Sequence, residues 1–80
     1  MEDSIKEVIE CLEELLNDST VPKNTKAVIL RITNILKEDV EKSIKINKAS
    51  HEIESISDDS NLQSYTRTQL WNIASLLEKL

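Results

Sequence analysis

Apolar residues recur along the chain at spacings of three and four, in four stretches separated by short polar breaks. The first stretch is Ile5, Val8, Ile9, Leu12, Leu15 and Leu16. At helical pitch these side chains share one face about 120° wide, with Glu7, Glu10 and Glu14 opposite. Ser4-Ile5-Lys6-Glu7 fits a capping box, in which the Ser hydroxyl and the Glu carboxylate satisfy free backbone N–H groups at a helix start. The spacing predicts a first helix from Ser4 to about Asn17. Acids at its start suit the helix dipole, whereas Glu13 and Glu14 near its end oppose it. Asp18-Ser19-Thr20-Val21-Pro22 reads as a turn. Pro22 suits the first position of a second helix, where no N–H is needed. That helix is expected to run to about Lys37 on a stripe of Val28, Ile29, Ile32, Ile35 and Leu36. Asp39 is expected to cap a third helix, with Ile46, Ala49, Ile53 and Ile56 on one face. Val40 and Ile44 pair off that face, so the start of this helix is expected to meet a different neighbour. Ser60-Asn61-Leu62-Gln63 reads as a further capping box. A fourth helix then runs from about Leu62 to the end on Leu70, Ile73, Leu76, Leu77 and Leu80.

The two halves resemble each other at an offset of 41 residues. Ile5 falls on Ile46, Glu13 on Glu54, Asp18-Ser19 on Asp59-Ser60, Thr25-Lys26 on Thr66-Arg67, Ile32 on Ile73 and Leu36 on Leu77. Seven identities in 39 pairs would be too few alone, because amphipathic helices align easily. The turn pattern carries more weight. Asp-Ser, an apolar residue two positions on, then Thr followed by Lys or Arg, stands at the same place in both halves. A period of roughly 40–47 residues is that of two-helix repeats. The fold class read from these features is all-α: four antiparallel helices forming two αα-hairpins, residues 4–38 and 40–80, within one domain of residues 1–80. The arrangement is a HEAT-like pair or a four-helix bundle. Asp18, Pro22 and Lys26, with Asp59 and Arg67 in the second half, are assigned to the turns. There an Asp accepts backbone N–H bonds and pairs with the base that follows.

Composition agrees. The chain has no Gly, one Pro and no Phe, and ten Ile and ten Leu supply an aliphatic core. The missing Gly excludes phosphate-cradling loops and Gly-based hairpin turns, and 80 residues exclude a second domain. The formal charge is −5, and residues 1–41 hold ten acids against five bases. Such a balance argues against nucleic acid, whose phosphates an acidic surface repels. A single Cys and no long apolar run point to a reducing compartment, with no signal peptide and no membrane span, so the cytoplasm is expected.

The stretch Asp18-Ser19-Thr20-Val21-Pro22-Lys23-Asn24 is similar to one of two signature segments of a small archaeal family, the uncharacterised protein family UPF0147. Asp59-Ser60-Asn61-Leu62, with Thr66-Arg67-Thr68 and Trp71-Asn72-Ile73, resembles the other. The likeness runs from about Ile5 to Glu78. The family pattern carries Pro where Gln63 stands and Arg where Lys26 stands, so the chain reads as a divergent member. The resemblance implies a compact helical protein from an archaeal cytoplasm, and it implies no activity.

Candidate chemistry is sparse. His51 is the only histidine and Cys11 the only cysteine. A zinc site wants several such ligands, so no metal or cofactor is expected. A Cys11–His51 dyad would need the first and third helices side by side. Glu10, Glu13 and Glu14 read as a solvated helix face, and the absence of Gly rules out an EF-hand loop. Leu30 and Trp71 stand out: each lies roughly 140–160° from its helix's main stripe, and they occupy equivalent positions in the two halves. They are read as a candidate interface, with Arg67 one turn before Trp71 and able to stack on it. The function read from the sequence is therefore a non-enzymatic interaction or scaffold protein that forms a homo-oligomer, a dimer first of all, and binds a further, unidentified protein. One alternative is an accessory protein of RNA or the ribosome, using Lys23, Lys26 and Arg31 or Lys42, Lys45 and Lys48. The other is a small metal-dependent enzyme using His51.

Overall fold

The computed structural model describes residues 3–80, with side chains from Ile5 onward. Four helices make up the described chain: α1 (Asp3–Leu16), α2 (Lys23–Lys37), α3 (Lys42–Ser57) and α4 (Ser64–Glu78). No strand occurs among the described residues. α1 packs on α2 and α4, and α3 packs on α2 and α4, while α1 and α3 stand diagonally opposite across the core, as do α2 and α4. The helices therefore close a ring around one core. The body measures 33 × 20 × 17 Å.

The core follows the stripes. Ile5, Val8, Ile9, Leu12 and Leu15 of α1 are buried against Ile29, Ile32 and Leu36 of α2, Ala49 and Ile53 of α3, and Leu70, Ile73 and Leu77 of α4. Each fully buried aliphatic side chain contributes about 1.5–3 kcal/mol. Three helices are rotated slightly from the expected stripes. Val28, Ile35, Ile46, Ile56, Leu76 and Leu80 are only half-buried at its rim, and Thr25, Thr33, Ser57 and Thr66 take core positions. A threonine fits there because its methyl packs like that of valine. The Thr33 hydroxyl also donates to the Ile29 carbonyl at 3.0 Å.

The helix ends depart most from expectation. By its backbone α1 begins at Asp3, one residue before the expected cap, and the Ser4 side chain lies outside the described ones. Pro22 is not the first helical residue but the one before it: φ is −59° and ψ 151°, and its carbonyl accepts the Lys26 N–H at 2.9 Å. Asp39 does not cap α3, which starts after Glu41. Val40 consequently lies in the connection, and both it and Ile44 are exposed, so this start meets no extra neighbour. The capping box at Ser60 does not form. α4 starts after Gln63, two residues later than expected, and none of α2, α3 and α4 has a side-chain cap bond.

What organises the turns instead is an Asx-turn, in which an Asp side chain bonds the backbone two residues on. Asp18 Oδ1 accepts the Thr20 N–H at 2.9 Å and the Thr20 hydroxyl at 2.7 Å. Asp59 Oδ1 accepts the Asn61 N–H at 2.9 Å. With the backbone reversed this way, Val21 and Leu62 are turned inward and buried. No described residue has positive φ. The helices thus end without the left-handed cap that Gly normally supplies. Their last turns tighten into three-residue bonds such as Asp18 N–H to Leu15, Glu38 N–H to Ile35 and Asp59 N–H to Ile56.

Candidate interaction surface

Among the described residues the surface is polar and charged, and exposed large apolar side chains are few: Leu30, Val40, Ile44, Tyr65 and Trp71. Trp71 is 57% exposed and Leu30 50% exposed. Neither is tucked under a loop or against the other hairpin. They do not form one patch. α2 and α4 lie across the ring from each other, each flanked by α1 and α3. Their outward sides face apart, so Leu30 and Trp71 belong to two separate surfaces.

The α4 surface is the more unusual. Its exposed residues from 64 to 77 are Ser64, Tyr65, Thr68, Trp71, Asn72 and Ser75, with no charge among them. Both aromatic residues of the chain stand here, Tyr65 at 59% exposure. Thr68 and Ser75 run along the middle of this face, with Trp71 on one flank and Tyr65, beside Asn72, on the other. Tyr65 is missing from the sequence-based candidates. Its signal was available, since it is the one other aromatic and lies off the Leu70–Ile73–Leu77 stripe.

Arg67 is half-buried and turned away from this face. Its Nη2 donates to the Asp59 carbonyl at 3.2 Å, so it ties the start of α4 to the preceding turn. The bond goes to the backbone rather than to the Asp59 carboxylate. Arg67 Nε and the Thr66 hydroxyl beside it are buried with no hydrogen-bond partner. In the first turn, the two Thr20 bonds hold the Asp18 carboxyl below its ordinary value, and the charge of Lys26 acts in the same direction.

The remaining candidates do not assemble. Cys11 is half-buried on α1 and His51 exposed on α3, and these two helices stand diagonally opposite rather than side by side, so no dyad forms. Burial is the main cause that pushes the Cys11 thiol up, aided by Glu14, Glu7 and Glu10, which disfavours the thiolate. No three His, Cys, Asp or Glu side chains among the described residues are grouped so as to hold a metal ion. Arg31 is held by Glu52 at 3.1 Å, which neutralises part of the first basic group. Lys42 and Lys45 line a shallow depression with Lys37 between the end of α2 and the start of α3, but Glu38 and Asp39 line it too. The Lys45 ammonium also lies 3.4 Å from the Glu38 carbonyl. No helix among the described residues is long and apolar enough to cross a membrane.

The family model described as Uncharacterised protein family (UPF0147) matches residues 1–80. A UPF0147 protein of Methanocaldococcus jannaschii is 39% identical over 80 residues, covering 99% of this chain and 86% of its own length. One from Archaeoglobus fulgidus is 37% identical over 76 residues, covering 95% and 87%. Among solved structures, the crystal structure of the unknown function protein MMP1188 superimposes with a TM-score of 0.93 at 35% identity, over 98% of this chain and 90% of that one.

Proposed function

The chain belongs to the uncharacterised protein family UPF0147, and from that premise we propose that it is a non-enzymatic protein-interaction or scaffold domain of the cytoplasm that self-associates. The observation that carries this reading is the exposure of Trp71 and Tyr65 on one helix face that holds no exposed charge from Ser64 to Leu77. Water-facing aromatic side chains forgo a large burial energy, and Trp and Tyr are enriched where interfaces bind most strongly.

We also read the domain as two αα-hairpins related by the 41-residue offset. Matched bonds support it. Val21 N–H to Asp18 recurs as Leu62 N–H to Asp59, Lys26 N–H to Pro22 as Arg67 N–H to Gln63, and Glu38 N–H to Ile35 as Lys79 N–H to Leu76. The ring of contacts favours a closed bundle over a HEAT-like stack. Stacked repeats would lay α1 along α3 and α2 along α4, whereas those pairs are the diagonals of the ring.

Sedimentation equilibrium over a wide concentration range, with Trp71 fluorescence read on the same samples, tests the proposal. A concentration-dependent dimer with a blue-shifted Trp71 emission is expected. Trp71→Ala should then weaken association by about 2 kcal/mol or more. A monomer at every concentration with unshifted emission overturns the self-association.

A further inference from the structure

We infer that the self-association surface is α4 alone, and that it pairs with α4 of a second copy in a closed, two-fold dimer, leaving the Leu30 side of α2 outside the contact. This rests on the reading of the chain as a self-associating domain and names the face used. The argument begins with charge. Each copy carries a net −5, so two copies repel unless they meet where charge is least. On α1 the exposed residues include Glu7, Glu10, Glu13 and Glu14, and pairing two such faces sets acid against acid. On α2 the exposed Lys23, Arg31 and Lys37 set base against base. On α4 the only exposed charge is Glu78 in the last turn, and the six exposed residues between 64 and 77 are uncharged. In an antiparallel pair centred on Trp71 each Glu78 falls opposite the partner's uncharged start of α4, so two α4 faces meet without setting like charges together. Depletion of charge with enrichment of aromatics is also the compositional mark of the centre of a protein interface.

The area is sufficient for a weak dimer. Two aromatic side chains at more than half exposure offer about 250 Å² per copy. The remaining small polar residues of the strip add a similar amount, so a pair of α4 faces buries about 1,000 Å² in all. That is the lower end for a specific contact. The geometry of the face suits a two-fold. Thr68 and Ser75 are small and central, which lets two backbones approach closely. Trp71 lies near the middle of the 15-residue helix, so in an antiparallel pair the two Trp71 side chains fall on the same side of the contact, close to the axis. A face that pairs with itself also stops at two copies, whereas an acidic α1 meeting a basic α2 would propagate into longer assemblies.

Three readouts on the full chain test the inference. Sedimentation at about 0.05 M and about 0.5 M salt should give a dimer population that does not fall at the higher salt, because the contact holds no ion pair to screen and salt screens the repulsion between two net −5 copies. Trp71→Glu should abolish the dimer while Leu30→Glu leaves it intact, with helical circular dichroism unchanged in both. In a Cys11→Ser background, Asn72→Cys should be joined to its copy by a short bis-maleimide, and Asn34→Cys on α2 should not. The inference is overturned if assembly weakens with salt, grows beyond two copies, or is dispersed by Leu30→Glu and not by Trp71→Glu. In those cases the chain still self-associates and only the face is wrong. A monomer under all conditions refutes self-association itself, and the face with it.

Discussion

The buried hydroxyl of Thr66 makes a sharp test of the core. Thr66 is 1% exposed, and its Oγ1 has no hydrogen-bond partner. A polar group taken from water without replacement of its hydrogen bonds costs about 1–3 kcal/mol. Thr66→Val keeps the shape and the β-branch, removes that penalty and adds an apolar methyl. Taking the lower bound, the variant gains about 1 kcal/mol, which for a domain of this size raises Tm by about 4–8 °C. Thr33 supplies the control. It is 2% exposed, but its hydroxyl donates to the Ile29 carbonyl at 3.0 Å. Thr33→Val therefore loses a bond and should lower stability by about 0.5–1.5 kcal/mol. The same chemical change at two buried threonines thus moves stability in opposite directions. Urea and thermal unfolding followed by circular dichroism measure both. A Thr66→Val protein less stable than the parent would refute the reasoning. It would mean that the hydroxyl does have a partner, for which a buried water shared with the neighbouring Arg67 Nε is the physical candidate.

Leu12 and Ile53 are fully buried, one in each hairpin, and truncating either to Ala should cost about 2–5 kcal/mol. Both variants should still unfold in one transition, and separate transitions for the two halves would contradict a shared core. The Asp18 carboxyl has a folded value below its ordinary 3.8, so its bonds to Thr20 stabilise the fold above that value and fade as pH falls through the lower one. The acid side of a Tm-against-pH curve should be flatter for Asp18→Asn, and an unchanged curve would assign acid unfolding to other groups. Cys11 should react with a disulfide reagent at about pH 8 more slowly in the folded protein than in urea, since burial and Glu14, Glu7 and Glu10 disfavour its thiolate. Equal rates in the two states would contradict that burial.

The helices and most of the core were legible because periodicity is a direct consequence of one-sided burial, and the α1 stripe is buried from Ile5 to Leu15. Helix starts were not legible, for a specific reason. Asp39 and Ser60 are good capping residues by type, but capping competes with turn formation. The Asp18 and Asp59 carboxylates spend their bonds on residues two positions on, which moves α2 and α4 to start after Pro22 and Gln63. The threonines at core positions escaped because a pattern of apolar letters passes over Thr25 and Thr66, whose methyl groups do the packing. The ring closure was beyond reach, since every helix stripe here suits either a bundle or a stack. Leu30 and Trp71 were correctly singled out as off-stripe. Their separation across the ring needed the contacts of α2 and α4 with their neighbours.

The two halves of the sequence, set against each other at the 41-residue offset, separate what packing requires from what it leaves free. Inner positions keep their chemistry: Thr25 and Thr66, Ile29 and Leu70, Ile32 and Ile73, Leu36 and Leu77 are all buried pairs. Outer positions do not. Lys23 becomes Ser64, Asn24 becomes Tyr65, Ala27 becomes Thr68, Leu30 becomes Trp71 and Arg31 becomes Asn72, each exposed in both halves. An exposed helix in water gains from charge, through solubility and pairs such as Arg31 with Glu52. Nothing in the bundle compels α4 to give up Lys and Arg for Ser and Asn, or to replace Leu by Trp, because none of these side chains is needed to close the ring. Intrinsic helix propensity argues against the exchange as well, since Ser, Asn, Thr and Tyr are poorer helix formers than Lys, Arg and Ala. A face that gives up charge at these positions relative to its counterpart, with no return in the core, is the feature that the proposed contact between copies would account for. That is the physical sense in which the outer side of α4 reads as half of an interface.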